Sequence, residues 1–155
     1  MRKTNKNNFK KTLSKFTTGV TVIFAEKNGE VHGKTVNSFN SLSLNPPLIL
    51  FSLGNYSSSI NTFLNSKYLT VNILSQNQKK FSDHFSQKNP DTKKIKFLKG
   101  IYNTFFLPNC IGYLECKLID KIKKGDHIIF ICEVLRVKSD DKLKPLNYYN
   151  SNYIK

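Results

Sequence analysis

Apolar residues alternate with polar ones over most of this chain, and recur at helical spacing in only three short stretches. Phe9, Leu13 and Phe16 predict a short amphipathic helix that Gly19 ends. Val20, Val22 and Phe24 share one face of a first strand. Lys27-Asn28-Gly29-Glu30 predicts a hairpin turn, because Asn-Gly supplies the positive φ angles a tight turn needs. A second strand starts near Val31. Pro46-Pro47 marks the start of another, since proline cannot donate to a ladder. The apolar run that follows, Leu48 to Leu53, reads as a strand buried on both faces. Ile60, Phe63 and Leu64 turn inward on a short helix whose N-cap falls within Ser57-Ser58-Ser59.

Tyr68 to Leu74 alternates as a strand. Gln76 to Ser86 reads as a helix, with Gln78, Phe81 and Phe85 on one side. Lys88 to Gly100 is lysine-rich and irregular, and is expected to be a mobile loop near the ligand. Ile111 to Ile122 predicts a long strand with Gly112, Leu114, Cys116 and Leu118 on one face and Tyr113, Glu115 and Lys117 on the other. Lys123-Lys124-Gly125-Asp126 turns it into a return strand, His127 to Lys138. Residues 1–8 are expected to fray, and Pro145 to Tyr153 to form a polar and aromatic tail. Hairpin-linked strands with few helices predict a mainly β, antiparallel barrel, one domain over all 155 residues.

Charge changes this picture little. The formal net charge is +15, but of the 25 basic residues only Arg2 and Arg136 are arginine. A nucleic-acid binder favours arginine for bidentate contacts and exposes aromatics along a charged groove. Here the phenylalanines sit at core-like positions, so a basic nucleic-acid-binding barrel is the weaker alternative. The excess charge can still attract anionic small ligands. No run of about 18 apolar residues predicts a membrane span. No apolar stretch follows the basic N-terminus, which argues against a secretory signal. Three cysteines without Cys-x-x-Cys spacing predict reduced thiols in the cytoplasm, and neither disulfides nor a metal site. Gly-x-Gly-x-x-Gly, a P-loop and Gly-x-Ser-x-Gly are all missing, so the sequence supports neither a Rossmann domain nor a serine hydrolase.

Candidate chemistry concentrates between His32 and Pro47, where Thr35, Asn37, Ser38, Ser41 and Ser43 alternate with apolar residues. Such residues also make solvated turns. Short hydroxyl and amide side chains at strand ends suit a flat ligand, apolar in the middle and phosphorylated at one end. The Ser57-Ser58-Ser59 cluster adds a helix N-terminus, whose N–H groups and dipole favour a phosphate.

Four segments in order carry a family resemblance. They are Phe16-Thr17-Thr18-Gly19-Val20-Thr21-Val22; Gly33-Lys34-Thr35-Val36-Asn37-Ser38-Phe39 running on to Pro46-Pro47; Gly125-Asp126-His127; and Pro145-Leu146-Asn147-Tyr148-Tyr149. With them the chain resembles the short flavin reductases of the FMN-binding split-barrel class, which include the reductase components of two-component flavin monooxygenases. The resemblance spans about Phe9 to Tyr153. It implies a Greek-key-like split β-barrel homodimer that binds FMN or FAD near the subunit interface, takes hydride from NADH or NADPH, and supplies reduced flavin to a monooxygenase partner. Carried over by position, Thr35, Val36, Asn37 and Ser38 would line the flavin ring, with Ser41 and Ser43 further along that segment. Ser52 and Leu53 would continue the wall. Ser57, Ser58 and Ser59 would take the phosphate. Phe85 would lie near the flavin, or near the adenylate end if FAD is used, Tyr148 would belong to the same site, and His127 would help place the nicotinamide. A non-enzymatic flavin-binding or electron-carrier module of the same fold is the main alternative. Two positions depart from the family pattern: Lys34, where an apolar residue is common, and Ile131-Cys132-Glu133, where glycine is usual.

Overall fold

The computed structural model describes residues 3–154. Helix α1 (Lys6–Leu13) starts earlier than the apolar spacing suggests, because the Asn5 side chain caps it by accepting from the Asn8 N–H at 2.8 Å. Lys6 to Asn8 are therefore helical rather than frayed, while Met1 and Arg2 lie outside the described residues. The apolar stripe of this segment is not buried: Phe9 is 55% and Phe16 76% exposed.

The strands follow as β1 (Thr18–Gly19), β2 (Thr21–Lys27), β3 (Glu30–Val36), β4 (Asn40–Leu44) and β5 (Pro47–Gly54). After α2 (Ile60–Asn65) and β6 (Tyr68–Ile73), a 3-10 turn at Gln76–Gln78 leads into α3 (Lys79–Ser86). Then come β7 (Leu98–Lys99), β8 (Phe105–Phe106), β9 (Gly112–Lys124), β10 (His127–Ser139), β11 (Asn147–Tyr149) and β12 (Asn152–Ile154). Seven strands form one antiparallel sheet in the order β3-β2-β6-β9-β10-β5-β4. The predicted turns are where the sequence puts them, with Asn28 at φ 54°, Gly29 at 82° and Gly125 at 59°.

Three elements differ from expectation. Strand β5 buries Ile49, Phe51 and Leu53 but leaves Leu48, Leu50 and Ser52 half-buried, so it is an alternating strand rather than one buried on both faces. Strand β4 adds an edge beside it that the Ser- and Asn-rich composition hid. The C-terminal segment is not a tail. It folds as a β11–β12 hairpin through Asn150 and Ser151, both at positive φ, and pairs with β1.

The sheet curls until its two flanks meet at a seam between β3 and β5. There the Ser38 hydroxyl receives the Ser52 N–H at 3.0 Å and donates to the Ser52 carbonyl at 3.1 Å. Apolar side chains form two clusters, one on each face of the sheet. Inside the barrel lie Ile23, Val71, Cys116 and Phe63 of α2, with Phe51 stacked on Phe130 at 5.0 Å. On the outer face lie Val22, Phe24, Leu107 and Leu146, covered by α3 through Phe85. Strand β2 serves both, so Thr21 to Ala25 are buried without a break. Each large apolar side chain among them contributes about 1.5–3 kcal/mol when taken from water. Glu115 is also buried, on the outer face of β9, where the Tyr102 N–H and the Thr104 hydroxyl donate to Oε1 and Arg136 lies 3.5 Å from Oε2.

Candidate functional site

The seam opens into a cleft of about 620 Å³. Its floor is the end of β3 and the turn after it, Lys34 to Ser38. One wall is the end of β5 with the following turn, Ser52 to Ser58. The facing wall is the chain leaving α3, Ser86 to Lys88, and His127 stands at the rim.

Thr35 and Ser38 build this cleft rather than offering free hydroxyls to it. The Thr35 hydroxyl donates to the Ser82 carbonyl at 2.7 Å and fastens α3 across β3. The Ser38 hydroxyl is held by both backbone groups of Ser52. Val36 and Leu53 supply apolar surface, and Asn37 is exposed at the floor. Gly33 makes the floor possible. A Cβ there would come within 2.5 Å of the Phe24 and Phe85 rings, so only glycine lets α3 lie this close.

At the other end the serines differ among themselves. The Ser57 hydroxyl oxygen is buried and has no hydrogen-bond partner among the described residues. Ser58 donates to the Lys88 carbonyl. Ser59 is the N-cap of α2, but it is buried, makes no side-chain cap and does not line the cleft. Lys34 neither reaches solvent nor stands unpaired. It is only 9% exposed, and its ammonium donates to the carbonyls of Gln87 at 2.7 Å and Lys88 at 3.0 Å. Burial pushes its pKa below the ordinary lysine value.

His127 opens β10. Its Nδ1 lies 2.7 Å from Asp126 Oδ1, which leaves Nε2 without a partner among the described residues. The same contact holds the Asp126 carboxyl below its usual pKa. A second cleft of about 450 Å³ adjoins the first across Thr35, Val36 and Asn37, and Tyr148 and Tyr153 line its far side.

Besides Ser59, four expected site residues lie elsewhere. Phe85 is completely buried in the outer cluster, edge-on to Phe24 at 4.9 Å, because the helical face that carries it is the one α3 packs onto the sheet. Ser41 and Ser43 sit on β4, where a register irregularity against β5 separates them, and neither lines the cleft. Tyr148 lines the adjoining cleft rather than the main one. Conversely, Tyr56, Ser86 and Gln87 line the cleft without any motif to announce them. The Lys88 segment does have a sequence signal, the lysine-rich loop that begins there.

The cysteines take no part. Cys110 and Cys132 are buried, and desolvation pushes each thiol up to about 12, while Cys116 is shifted in the same direction. A thiol so placed holds no thiolate at neutral pH. No helix among the described residues is long and apolar enough to cross a membrane.

The cleft fits a flavin nucleotide. Apolar side chains and backbone flank its middle, and an unpartnered buried hydroxyl, Ser57, waits at one end beside two lysines. An antiparallel barrel split along such a cleft places the molecule among the split-barrel flavin proteins. The chain belongs to the flavin reductase like domain family, whose model matches residues 13–155. It is 33% identical over 137 residues to the FMN reductase (NADH) SmoA of Agrobacterium fabrum, covering 88% of this chain and 79% of that protein. It is 31% identical over 156 residues to the reductase component of the FADH(2)-dependent resorcinol hydroxylase of a Rhizobium species, covering 94% and 84%. The solved structure of flavin reductase PheA2 in its native state superposes with a TM-score of 0.89, at 34% identity and 98% coverage of both chains.

Proposed function

We propose that this chain is an NADH-dependent flavin reductase that supplies reduced flavin to a partner monooxygenase. The observation that carries the reading is the cleft itself, with a buried, unpartnered Ser57 hydroxyl at one end and His127 at the rim. The relatives support the roles: NADH is named for the Agrobacterium protein, and the Rhizobium protein is the reductase component of a hydroxylase. When bound, the flavin accepts hydride at N5 from C4 of the nicotinamide, chemistry that belongs to the two cofactors.

The chain's own work is to bind and orient. Val36 and Leu53 exclude water from the middle of the cleft. Ser57 donates to a phosphate oxygen. Lys34 and Lys88 make this end electropositive, which favours an anionic ligand. Asp126 holds the His127 ring through Nδ1, which leaves Nε2 as the nitrogen that would meet the nicotinamide. Orientation of two rings at near-attack distance is the main catalytic contribution.

The exposed Phe9 and Phe16 stripe borders a groove of about 670 Å³ that also takes in Leu13, Phe39 and Ile73. Thr18 lines the same groove, and its buried hydroxyl has no partner among the described residues. A second copy of the chain covers this surface in a homodimer. Light scattering coupled to gel filtration tests that assembly, and Phe16→Glu is expected to yield monomers.

The direct test of activity is NADH oxidation, followed by absorbance, with flavin-stripped protein and added FMN or FAD. Turnover that requires flavin and saturates with it is expected. His127→Ala is expected to raise the KM for NADH about tenfold, the factor that losing one or two hydrogen bonds produces. Flavin binding without turnover would make the chain a carrier module instead.

A further inference from the structure

One end of the cleft is tied shut. The Lys88 carbonyl accepts from Lys34 Nζ at 3.0 Å and also from the Ser58 hydroxyl. Lys34 belongs to the floor and Ser58 to one wall, while Lys88 belongs to the facing wall. A single carbonyl thus joins all three, and the Gln87 carbonyl adds a second tie to Lys34 at 2.7 Å. Thr35 reinforces the closure one residue along, by holding the preceding turn of α3 through the Ser82 carbonyl. The unpartnered Ser57 hydroxyl sits beside this junction.

We propose that the Lys34–Lys88–Ser58 latch makes the site selective for a flavin that ends in a phosphate monoester, FMN, over the dinucleotide FAD. This rests on the reading of the cleft as a flavin site. A monoester terminates at Ser57, with nothing beyond it to accommodate. A diphosphate must continue past the phosphate, and its adenosine half must cross the line between Ser58 and Lys88. To do so it must break the hydrogen bonds to the Lys88 carbonyl and displace the segment after α3. Ser58 and Lys88 are exposed, so water can take up that carbonyl, but Lys34 is only 9% exposed and the loss of an acceptor for its ammonium there is costly. Charge acts in the same direction. A phosphate monoester concentrates nearly two negative charges at its end, opposite a lysine held nine-tenths buried by its backbone partners.

Calorimetric titration of the flavin-stripped protein with FMN and with FAD tests the proposal, on the wild type, Ser58→Ala and the double variant Lys34→Met/Ser58→Ala. The wild type is expected to bind FMN about tenfold or more tightly than FAD, the factor that two broken hydrogen bonds correspond to. In the double variant the ratio is expected to fall to near parity, with FAD affinity rising. Ser58 is exposed, so its single variant folds whatever becomes of Lys34, and it is expected to move the ratio part of the way. Equal affinities in the wild type, or a preference that survives in the double variant, would overturn the latch while leaving a flavin site. Binding of neither flavin would overturn the flavin reading and the latch with it.

Discussion

Two hydroxyl clusters bound the cleft, and they differ in what their oxygens already hold. Thr35 and Ser38, at the floor, are fully engaged with the backbone of α3 and β5. Ser57, at the far end, holds nothing among the described residues. In sequence both are runs of small polar residues next to apolar strands. In the structure the floor cluster is a set of fasteners, whereas in the far cluster Ser58 is fastened to the Lys88 carbonyl and the buried Ser57 hydroxyl is left without a partner among the described residues. A hydroxyl contributes to recognition only where the fold leaves it unsatisfied, and it contributes to stability only where the fold satisfies it.

The contrast can be broken most forcefully at the floor. Gly33→Ala places a Cβ within 2.5 Å of the Phe24 and Phe85 rings, and both are packed too tightly to yield. The variant is expected to lose about 1–3 kcal/mol of stability, read as a lower urea midpoint, and to loosen α3 from the sheet. An unchanged midpoint would mean that the floor is not built around this contact.

At the other end, Ser57→Ala is expected to leave the urea midpoint within about 0.5 kcal/mol of wild type. Flavin phosphate affinity is expected to fall about tenfold, with riboflavin, which has no phosphate, binding as before. Equal losses for both ligands would place the phosphate elsewhere. Thr35→Val is expected to do the reverse, costing about 1 kcal/mol of stability through the Ser82 carbonyl it abandons. If Thr35→Val were stable and Ser57→Ala were not, the two clusters would have exchanged roles.

The features legible in the sequence were those fixed by neighbours in the chain. The Asn28-Gly29 and Gly125 turns and the long β9–β10 hairpin follow from local φ preference and period, and so does the strand expected over Tyr68 to Leu74, although β6 is buried on both faces. The family resemblance put Thr35 to Ser38, Ser52, Leu53, Ser57, Ser58 and His127 around one ligand, and all of them line the cleft. What each hydroxyl does was not legible. Ser38 meets a partner 14 residues away and Thr35 one 47 residues away, and no local pattern encodes such a contact. Ser41, Ser43 and Ser59 share the composition of the site and lie outside it for the same reason. Phe85 has the helical spacing of α3, but the packing of α3 onto the sheet makes its face core. An apolar run does not reveal which face of a strand another layer covers, and on β5 the face carrying Leu48, Leu50 and Ser52 stays half-buried.

Lys34 stands between the two clusters and gives the smallest test of them. Its ammonium is desolvated, and its pKa is lowered from the ordinary value of 10.5. Below the lowered value the group is charged in both folded and unfolded chains, and the full cost of burying the charge is present. As pH rises through the folded value, the folded form releases its proton while the unfolded form keeps it up to 10.5. The unfolded state then binds more protons, so stability rises with pH across that window. The latch survives the change, because a neutral amine still has two N–H donors for the two carbonyls it serves, Gln87 and Lys88. The wild type is therefore expected to gain stability relative to Lys34→Met between neutral pH and pH 10.5, the ordinary lysine value. Paired urea titrations at the two pH values read this directly. A wild type that loses ground to Lys34→Met over the same interval would mean that the charge, and not the pair of N–H donors, holds the far wall to the floor.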